Sequence, residues 1–242
     1  SDQITIEHLC RMTSGIFDYT DDYNVMGIMY LSPQAAITPD EIISYIAQKP
    51  LNFNPGETYE YSNTNTFILG RIIEMITENS LGEELENRIF LPLSMSNTVL
   101  PDNSGFHSDY LKGYGDINGD FIDVSTKYHP SWAWAAGGVY SNLNEMKIWS
   151  KVLVKGQLLN AELHQLRLEC IPSDHPLIMY GLGIMAFDNY YGHSGGVPGY
   201  MTTIAHNFEL NTTIIIVYNS FFEELRDIFT DHFIAVRNLI EQ

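Results

Sequence analysis

The stretch from Tyr180 to Ser220 constrains the fold more than any other. "YGLGIMAF", "YYGHSGG", "YMTTIAHN" and "TTIIIVYNS" are short, rich in β-branched and aromatic residues, and separated by turn formers. They read as consecutive antiparallel strands. The segment that follows, "FFEELRDIFTDHFIAVRNLIEQ", reads as a long amphipathic helix with Leu225, Ile228, Phe229, Phe233, Val236 and Ile240 along one stripe. A terminal helix packed across an antiparallel sheet is an α+β layer arrangement. These strands alone make only a small sheet.

Helices dominate upstream. In "TPDEIISYIAQ", Thr38 caps, Pro39 suits the first helical position and Glu41 completes a capping box. In "NTNTFILGRIIEMITENS", Phe67, Ile68, Ile72, Met75 and Ile76 recur at helical spacing. Ser80 caps "LGEELENRIF", with Glu83 at the capping-box position, and Pro92 ends that helix. Residues 101 to 131 are polar, and "GYGDINGDFIDVS" reads as a short hairpin or an excursion. Ser141 is the expected cap of "NLNEMKIWSKVLVKG", which Gly156 stops, and "NAELHQLRLEC" is one more short helix. The organisation expected is one domain over 1–242, mostly helical over 1–179, with strands and a C-terminal helix over 180–242.

The 242 residues are 45% apolar and 17% charged, a globular composition long enough to bury a core. Twelve Lys and Arg against 30 Asp and Glu give a formal charge of -18, which disfavours nucleic acid and anionic membrane surfaces. No apolar run is long enough to span a bilayer as a helix, and "SDQITIEH" is not a signal peptide. Cys10 and Cys170 make no metal-ligand pair and read as buried free thiols rather than a disulfide. There is no H-E-x-x-H, no phosphate-cradling glycine loop, and "DINGDFID" falls short of a calcium loop. No metal or cofactor is expected.

Two stretches bear chemistry-capable side chains. In "NPGETYEYSNTNTF", a Pro55-Gly56 turn precedes Tyr61, Ser62 and Asn63 at the start of a helix. In extended backbone Tyr61 and Asn63 project to one side. Read alone, the same residues also fit an N-cap with a packing tyrosine. In "YGHSGGVPGY", His193 among glycines fits either a site wall or a bulged turn. Gly192, Ser194 and Gly196 match the letters of a nucleophile elbow. A strand pattern rather than a helix follows, so that context fails.

Taken together, the motifs resemble those of the serine β-lactamase and D,D-peptidase superfamily, in the branch of class C β-lactamases, D-Ala-D-Ala carboxypeptidases and related esterases. "ITIEHLCRMTSGIFDY" resembles the segment leading into that family's "HTSG" box, and "FNPGETYEYSNTNTFILGRIIEMIT" its Y-S-N segment and following helix. "LPLSMSNT" is similar to its P-L-G-M-x-x-T stretch and "AAGGVYSNLNEMKIW" to its A-G-G-x-x-S-x-x-D-x-x-x-W stretch. "GHSGGVPGY" resembles its third active-site box, K-T-G or H-x-G. Order and rough spacing agree over almost the whole chain.

The resemblance implies a sandwich of antiparallel sheet and helices beside a mostly helical subdomain. It implies acyl transfer from a D-Ala-D-Ala-like peptide, a β-lactam or an ester. Tyr61 would be general base or proton relay, and Asn63 would bind the substrate amide and hold the catalytic lysine. His193 would tune the tyrosine and meet the substrate's carboxylate end. Ser194 would offer its hydroxyl to substrate, the Gly196 amide would be an oxyanion-hole donor, and the edge from His193 through Gly195 to Gly196 would pair with an extended acyl peptide. A periplasmic or secreted location is implied in the same way. Trp132 and Trp134 either line the cleft or pack in the core.

Departures from the pattern are Met12 for the box histidine, Glu78 and Ser94 for glycines, and Asn144 for aspartate. The serious one is that no serine has lysine three positions later, so the family's Ser-x-x-Lys nucleophile motif is missing. The expectation is the C-terminal portion of a serine acyl-hydrolase, inactive alone. The alternative is a non-catalytic binding or scaffold protein of the same fold. Without the family's first strands the sheet should have an unpaired edge, favouring low stability or self-association.

Overall fold

The computed structural model describes residues 2–106, 109–117, 119–221 and 225–242, without the side chains of residues 225–227 and 229. Its helices are α1 (Ile6–Cys10), α2 (Tyr23–Leu31), α3 (Pro39–Ile46), α4 (Asn63–Thr77), α5 (Leu81–Leu85), α6 (Leu143–Lys155), α7 (Ala161–Leu168) and α8 (Leu225–Ile240). Strands β1 (Tyr114–Ile117) and β2 (Asp120–Asp123) form the hairpin expected within the polar excursion. An antiparallel sheet of six strands follows in sequence order: β3 (Ile171–Pro172), β4 (Met179–Tyr180), β5 (Met185–Phe187), β6 (Tyr190–Val197), β7 (Tyr200–Asn207) and β8 (Thr212–Tyr218). Two short strands therefore precede the texture change seen at Tyr180.

Local chemistry sets most element ends. Thr38 and Ser80 both form full capping boxes, with Glu41 and Glu83. Gly156 ends α6 in the left-handed region at φ +63. The cap of α6, however, is Asn142, whose side chain accepts from the Glu145 N–H, while the Ser141 hydroxyl lies 2.7 Å from Thr98 Oγ1. Asn142 wins because its amide oxygen reaches the third N–H of the helix.

Two cores form. Tyr19, Val25, Met29, Ile37, Ile42, Ile46, Phe67 and Trp132 fill the helical part. Trp132 is buried and donates its indole N–H to the Ala35 carbonyl at 3.1 Å, and Trp134 packs on Phe67, so both tryptophans belong to this core. Tyr190, Ala205, Ile214 and Phe233 join the sheet to α8.

The apolar stripes are only partly used. On α4 the buried residues are Thr64, Asn65, Phe67 and Gly70, whereas Met75 and Ile76 stand exposed. The N-terminal half of α4 carries the packing and its last turn projects beyond its neighbours. On α8 Phe233 is buried but Ile228, Val236 and Ile240 stay exposed, and the side chains of Leu225 and Phe229 lie outside the described residues. β8 pairs only with β7 within the sheet, so its outer edge has no strand neighbour among the described residues. No helix among them is long and apolar enough to cross a membrane. Both cysteines are free, and both are half-buried rather than buried.

The "TSG" segment is clamped by the chain just before Tyr61. Glu60 N–H donates to the Met12 carbonyl at 2.9 Å, Gly56 N–H to Thr13 at 2.8 Å and Asn52 N–H to Gly15 at 2.8 Å. Gly15 is required there, because a Cβ would sit 2.2 Å from the Phe53 carbonyl oxygen. A second clamp is Glu145, whose carboxylate accepts from Asn97 N–H (3.0 Å), Asn97 Nδ2 (2.7 Å) and Thr98 Oγ1 (2.5 Å). Burial raises its pKa, but these hydrogen bonds outweigh burial and hold it below the ordinary value.

Glu78 and Ser94, the residues standing for family glycines, keep left-handed backbone at φ +60 and φ +56. A Cβ there costs about 1–2 kcal/mol, offset in part by the greater freedom of glycine in the unfolded chain. Glu78→Gly and Ser94→Gly should therefore each raise stability by roughly 0.5–1 kcal/mol, read as an increased urea midpoint at unchanged m-value.

Candidate active site

The site lies where the start of α4 faces strand β6. Ser62 occupies the N-cap of α4 in extended backbone, its hydroxyl buried without a partner. That conformation delivers Tyr61 to one side and starts the helix at Asn63. Asn63 is fixed from behind by Asp18, whose Oδ2 accepts both the Asn63 backbone N–H (3.0 Å) and Nδ2 (2.9 Å). Asp18 Oδ1 accepts from Thr20 N–H at 2.9 Å, which closes the turn holding the carboxylate. One Asn63 amide hydrogen and Oδ1 are left over for another partner.

Strand β6 contributes His193. The Tyr61 and His193 ring centroids are 6.0 Å apart, so residues distant in sequence meet. Tyr180, at the end of β4, packs against both, and Tyr59 packs on Tyr180. His193 Nδ1 lies 2.5 Å from the Ser194 carbonyl oxygen and Nε2 lies 3.1 Å from Tyr180 Oη. A carbonyl only accepts, so Nδ1 carries the proton and Nε2 accepts from the tyrosine. This assigns the neutral tautomer. Burial lowers the His193 pKa, and the bond to Ser194 offsets that only in part.

The tyrosines are held protonated. Burial, then the Asp18 charge, pushes Tyr61 up to about 12. Burial, then Asp174, raises Tyr59, and burial raises Tyr180 well above its ordinary value. The carboxylates bearing on these phenols are Asp18 and Asp174, and no lysine or arginine among the described residues acts on them. The cation that a phenolic base requires near neutrality is not provided by these residues.

The remaining expected residues lie along β6. Ser194 alternates to the opposite face of the pleat from His193, and its hydroxyl reaches Met185 Sδ at 3.6 Å. Gly195 and Gly196 are exposed and pair with Thr202 and Met201 of β7. β5 stops opposite Gly192, so among the described residues the β6 edge from His193 to Val197 has no strand on its β5 side. The excursion packs instead at the β6–β7 turn and the end of β8: Tyr200 Oη donates to the Leu111 carbonyl at 2.6 Å, and Tyr114 N–H donates to the Asn219 carbonyl at 2.8 Å. Tyr61 and His193 are thus brought together, Asn63 sits two residues from Tyr61 on Asp18, Gly195 and Gly196 lie on the open edge, and Ser194 turns away. Asp18, Tyr59 and Tyr180 were missed by sequence reasoning. Asp18 had only its place in "FDY" before a turn, and Tyr180 read as an ordinary strand residue. Among the described residues no Asp, Glu, His and Cys group is arranged to hold a metal.

The Beta-lactamase family profile matches residues 1–238. D-aminopeptidase of Brucella anthropi is 28% identical over 224 residues, covering 89% of this chain and 41% of that protein. A D-stereospecific amidohydrolase from Streptomyces sp. superposes with a TM-score of 0.84 at 27% identity, covering 90% of this chain and 68% of that one. A penicillin-binding protein from Bacillus halodurans gives a TM-score of 0.82 at 21% identity, covering 98% and 72%. The chain therefore spans about 41% of the length of the curated relatives it matches.

Above about pH 6.5 both folded and unfolded His193 are neutral. Below it the unfolded chain takes up a proton that folded His193, with its lowered pKa, resists, so stability falls with pH. His206, also lowered by burial, acts with the same sign. His193→Asn and His206→Asn should each flatten the loss of urea stability below about pH 6.5, by at most about 1.4 kcal/mol per pH unit. An unchanged acid slope in His193→Asn would show that His193 is not held neutral.

Proposed function

The chain belongs to the Beta-lactamase family, and on that premise we propose that it carries two walls of a serine acyl-hydrolase site whose nucleophile comes from residues outside this sequence. The meeting of Tyr61 with His193, next to Asn63 held by Asp18, carries the reading. Acyl transfer through a serine ester splits one difficult step into two easier ones. Tyr61 would relay the proton from the incoming hydroxyl to the leaving group. At a pKa near 12 it does so only when a cation approaches it, which the family's lysine would supply. Asn63 would hold that ammonium through Oδ1 and offer its remaining amide hydrogen to the substrate carbonyl. The open β6 edge at Gly195 and Gly196 would take the acyl chain as an added strand, with the Gly196 amide polarising the carbonyl. Ser194 would contact substrate only after rotating away from Met185.

Electrostatics narrows the substrate. β-Lactams and acyl-D-Ala-D-Ala peptides bring a carboxylate to the third box, where His193 is neutral, while Asp18 and Asp174 set a negative field at the neighbouring Tyr61 and Tyr59. A free amine is cationic and is drawn to the same field. A charge pair near 4 Å is worth about 1–4 kcal/mol, so an amine seated that close to either carboxylate would be favoured over a carboxylate substrate by about tenfold or more. We therefore place amides or peptides of D-amino acids with a free amino group ahead of lactams. The D-aminopeptidase and D-stereospecific amidohydrolase relatives support that order. A periplasmic or secreted location goes with the family reading.

The full-length gene product should hydrolyse D-phenylalanine amide with kcat/KM at least about tenfold above its N-acetyl derivative, and acylate slowly with a fluorescent penicillin. Equal or reversed preference would overturn the substrate assignment. Tyr61→Phe should lower kcat by about 10²–10⁴ with little change in KM, whereas Ser194→Ala should leave acylation possible. The missing Ser-x-x-Lys motif favours a second reading, a binding protein without chemistry. Absence of any fluorophosphonate adduct on the full-length product would decide for it.

A further inference from the structure

A cavity of about 450 Å³, apart from the His193 cleft, lies between α6, α7 and the turn after α5. Its walls include Ile89, Trp149, Leu153 and Leu158, together with two arginines, Arg88 and Arg167. The turn that brings Arg88 and Ile89 is a π-helical segment, Glu86–Phe90, with Leu91 N–H bonded to the Glu86 carbonyl at 2.9 Å. Such widened turns recur at functional sites.

The arginines differ in how they are satisfied. Arg11, Arg71, Arg88 and Arg237 each meet a carboxylate: Glu7, Asp40, Glu84 and Asp188. Arg167 meets none among the described residues. Its one hydrogen bond is Nη1 to the Leu153 carbonyl at 3.4 Å, leaving most of its five N–H donors unspent in a half-buried position. This holds in a chain with 30 acidic residues against 12 basic ones, where a carboxylate partner is easy to place. Burial also lowers the Arg167 pKa, consistent with a poorly solvated cation. A desolvated guanidinium without an anion is unfavourable, and its planar fork matches a carboxylate in bidentate geometry. One unspent fork beside apolar walls suits a single negative charge on an apolar body better than a phosphate.

We propose that the cavity between α6 and α7 is a binding site for a small amphiphilic monocarboxylate, with Arg167 taking the carboxylate and Trp149, Leu153 and Ile89 the apolar body. The site is independent of the acyl-hydrolase reading. Arg88 stands at the rim, already held by Glu84, and assists without anchoring.

The test is NMR titration of the Trp149 indole N–H resonance, assigned with Trp149→Phe, in the full chain. The probes are sodium octanoate, n-octylammonium chloride and sodium acetate. Octanoate should give a saturable shift, with octylammonium at least about tenfold weaker, the size of effect of one charge-assisted fork, and acetate at least about tenfold weaker because it lacks the apolar body. Arg167→Gln should weaken octanoate by about tenfold or more, Arg167→Lys should restore part of that, and Arg88→Gln should change it by less than about threefold. Circular dichroism and melting checks that each variant is folded, and Arg167→Lys serves if Arg167→Gln is not. No saturation by about 10 mM octanoate, equal binding of octylammonium, or an unchanged affinity in Arg167→Gln or Arg167→Lys would overturn the proposal.

Discussion

The buried carboxylate of Asp18 ties together the pieces on which the cleft depends. Its two oxygens close the turn at Thr20, start α4 at Asn63 and orient the Asn63 side chain. A helix N-terminus leaves N–H groups without partners, and here a charged acceptor from another loop takes one of them. The same charge raises the Tyr61 pKa. One side chain therefore positions the amide and keeps the phenol protonated. Ser14 and Asn65, joined at 2.6 Å, repeat the link between that loop and α4 one turn deeper. The geometry at Tyr61 follows from these contacts and from the backbone clamp of residues 52–60 on the "TSG" segment.

How much of this was legible in the sequence depends on whether the signal was local. Thr38, Ser80 and Gly156 act through neighbours within four residues, and their roles follow from spacing alone. Ser141 and Asn142 are adjacent and both able to cap, so only the partner of Ser141, the distant Thr98, separates them. The strands of the sheet were visible because alternation and turn residues repeat, though β3 and β4, two residues each, are too short to show a period. The stripes on α4 and α8 were read correctly as helical but not as buried. Burial depends on what lies opposite, and Met75, Ile76 and Ile228 have little there.

The site itself was legible only in part. Tyr61, Asn63 and His193 were found because motif order resembled a family, since no local pattern links position 61 with position 193. Tyr180 and Asp18 escaped because their roles arise in the folded chain alone, one as hydrogen-bond partner of His193 and one as anchor of Asn63. The glycine departures carried more information than they first showed. Glu78 and Ser94 both retain left-handed backbone, so the fold imposes the conformation and the side chain tolerates it.

The protonation states limit what Tyr61 and His193 can do by themselves. His193 donates from Nδ1 to the Ser194 carbonyl and accepts at Nε2 from Tyr180, which leaves no charge at the third box. Tyr61, with its pKa near 12, holds its proton through the neutral range. Neither group can begin the chemistry unaided, yet both are placed to receive a proton-transfer partner. A lysine entering beside Tyr61 would lower the phenol's pKa and be balanced by Asp18 behind it. The carboxylates that help hold these phenols protonated would also attract a cation brought beside them.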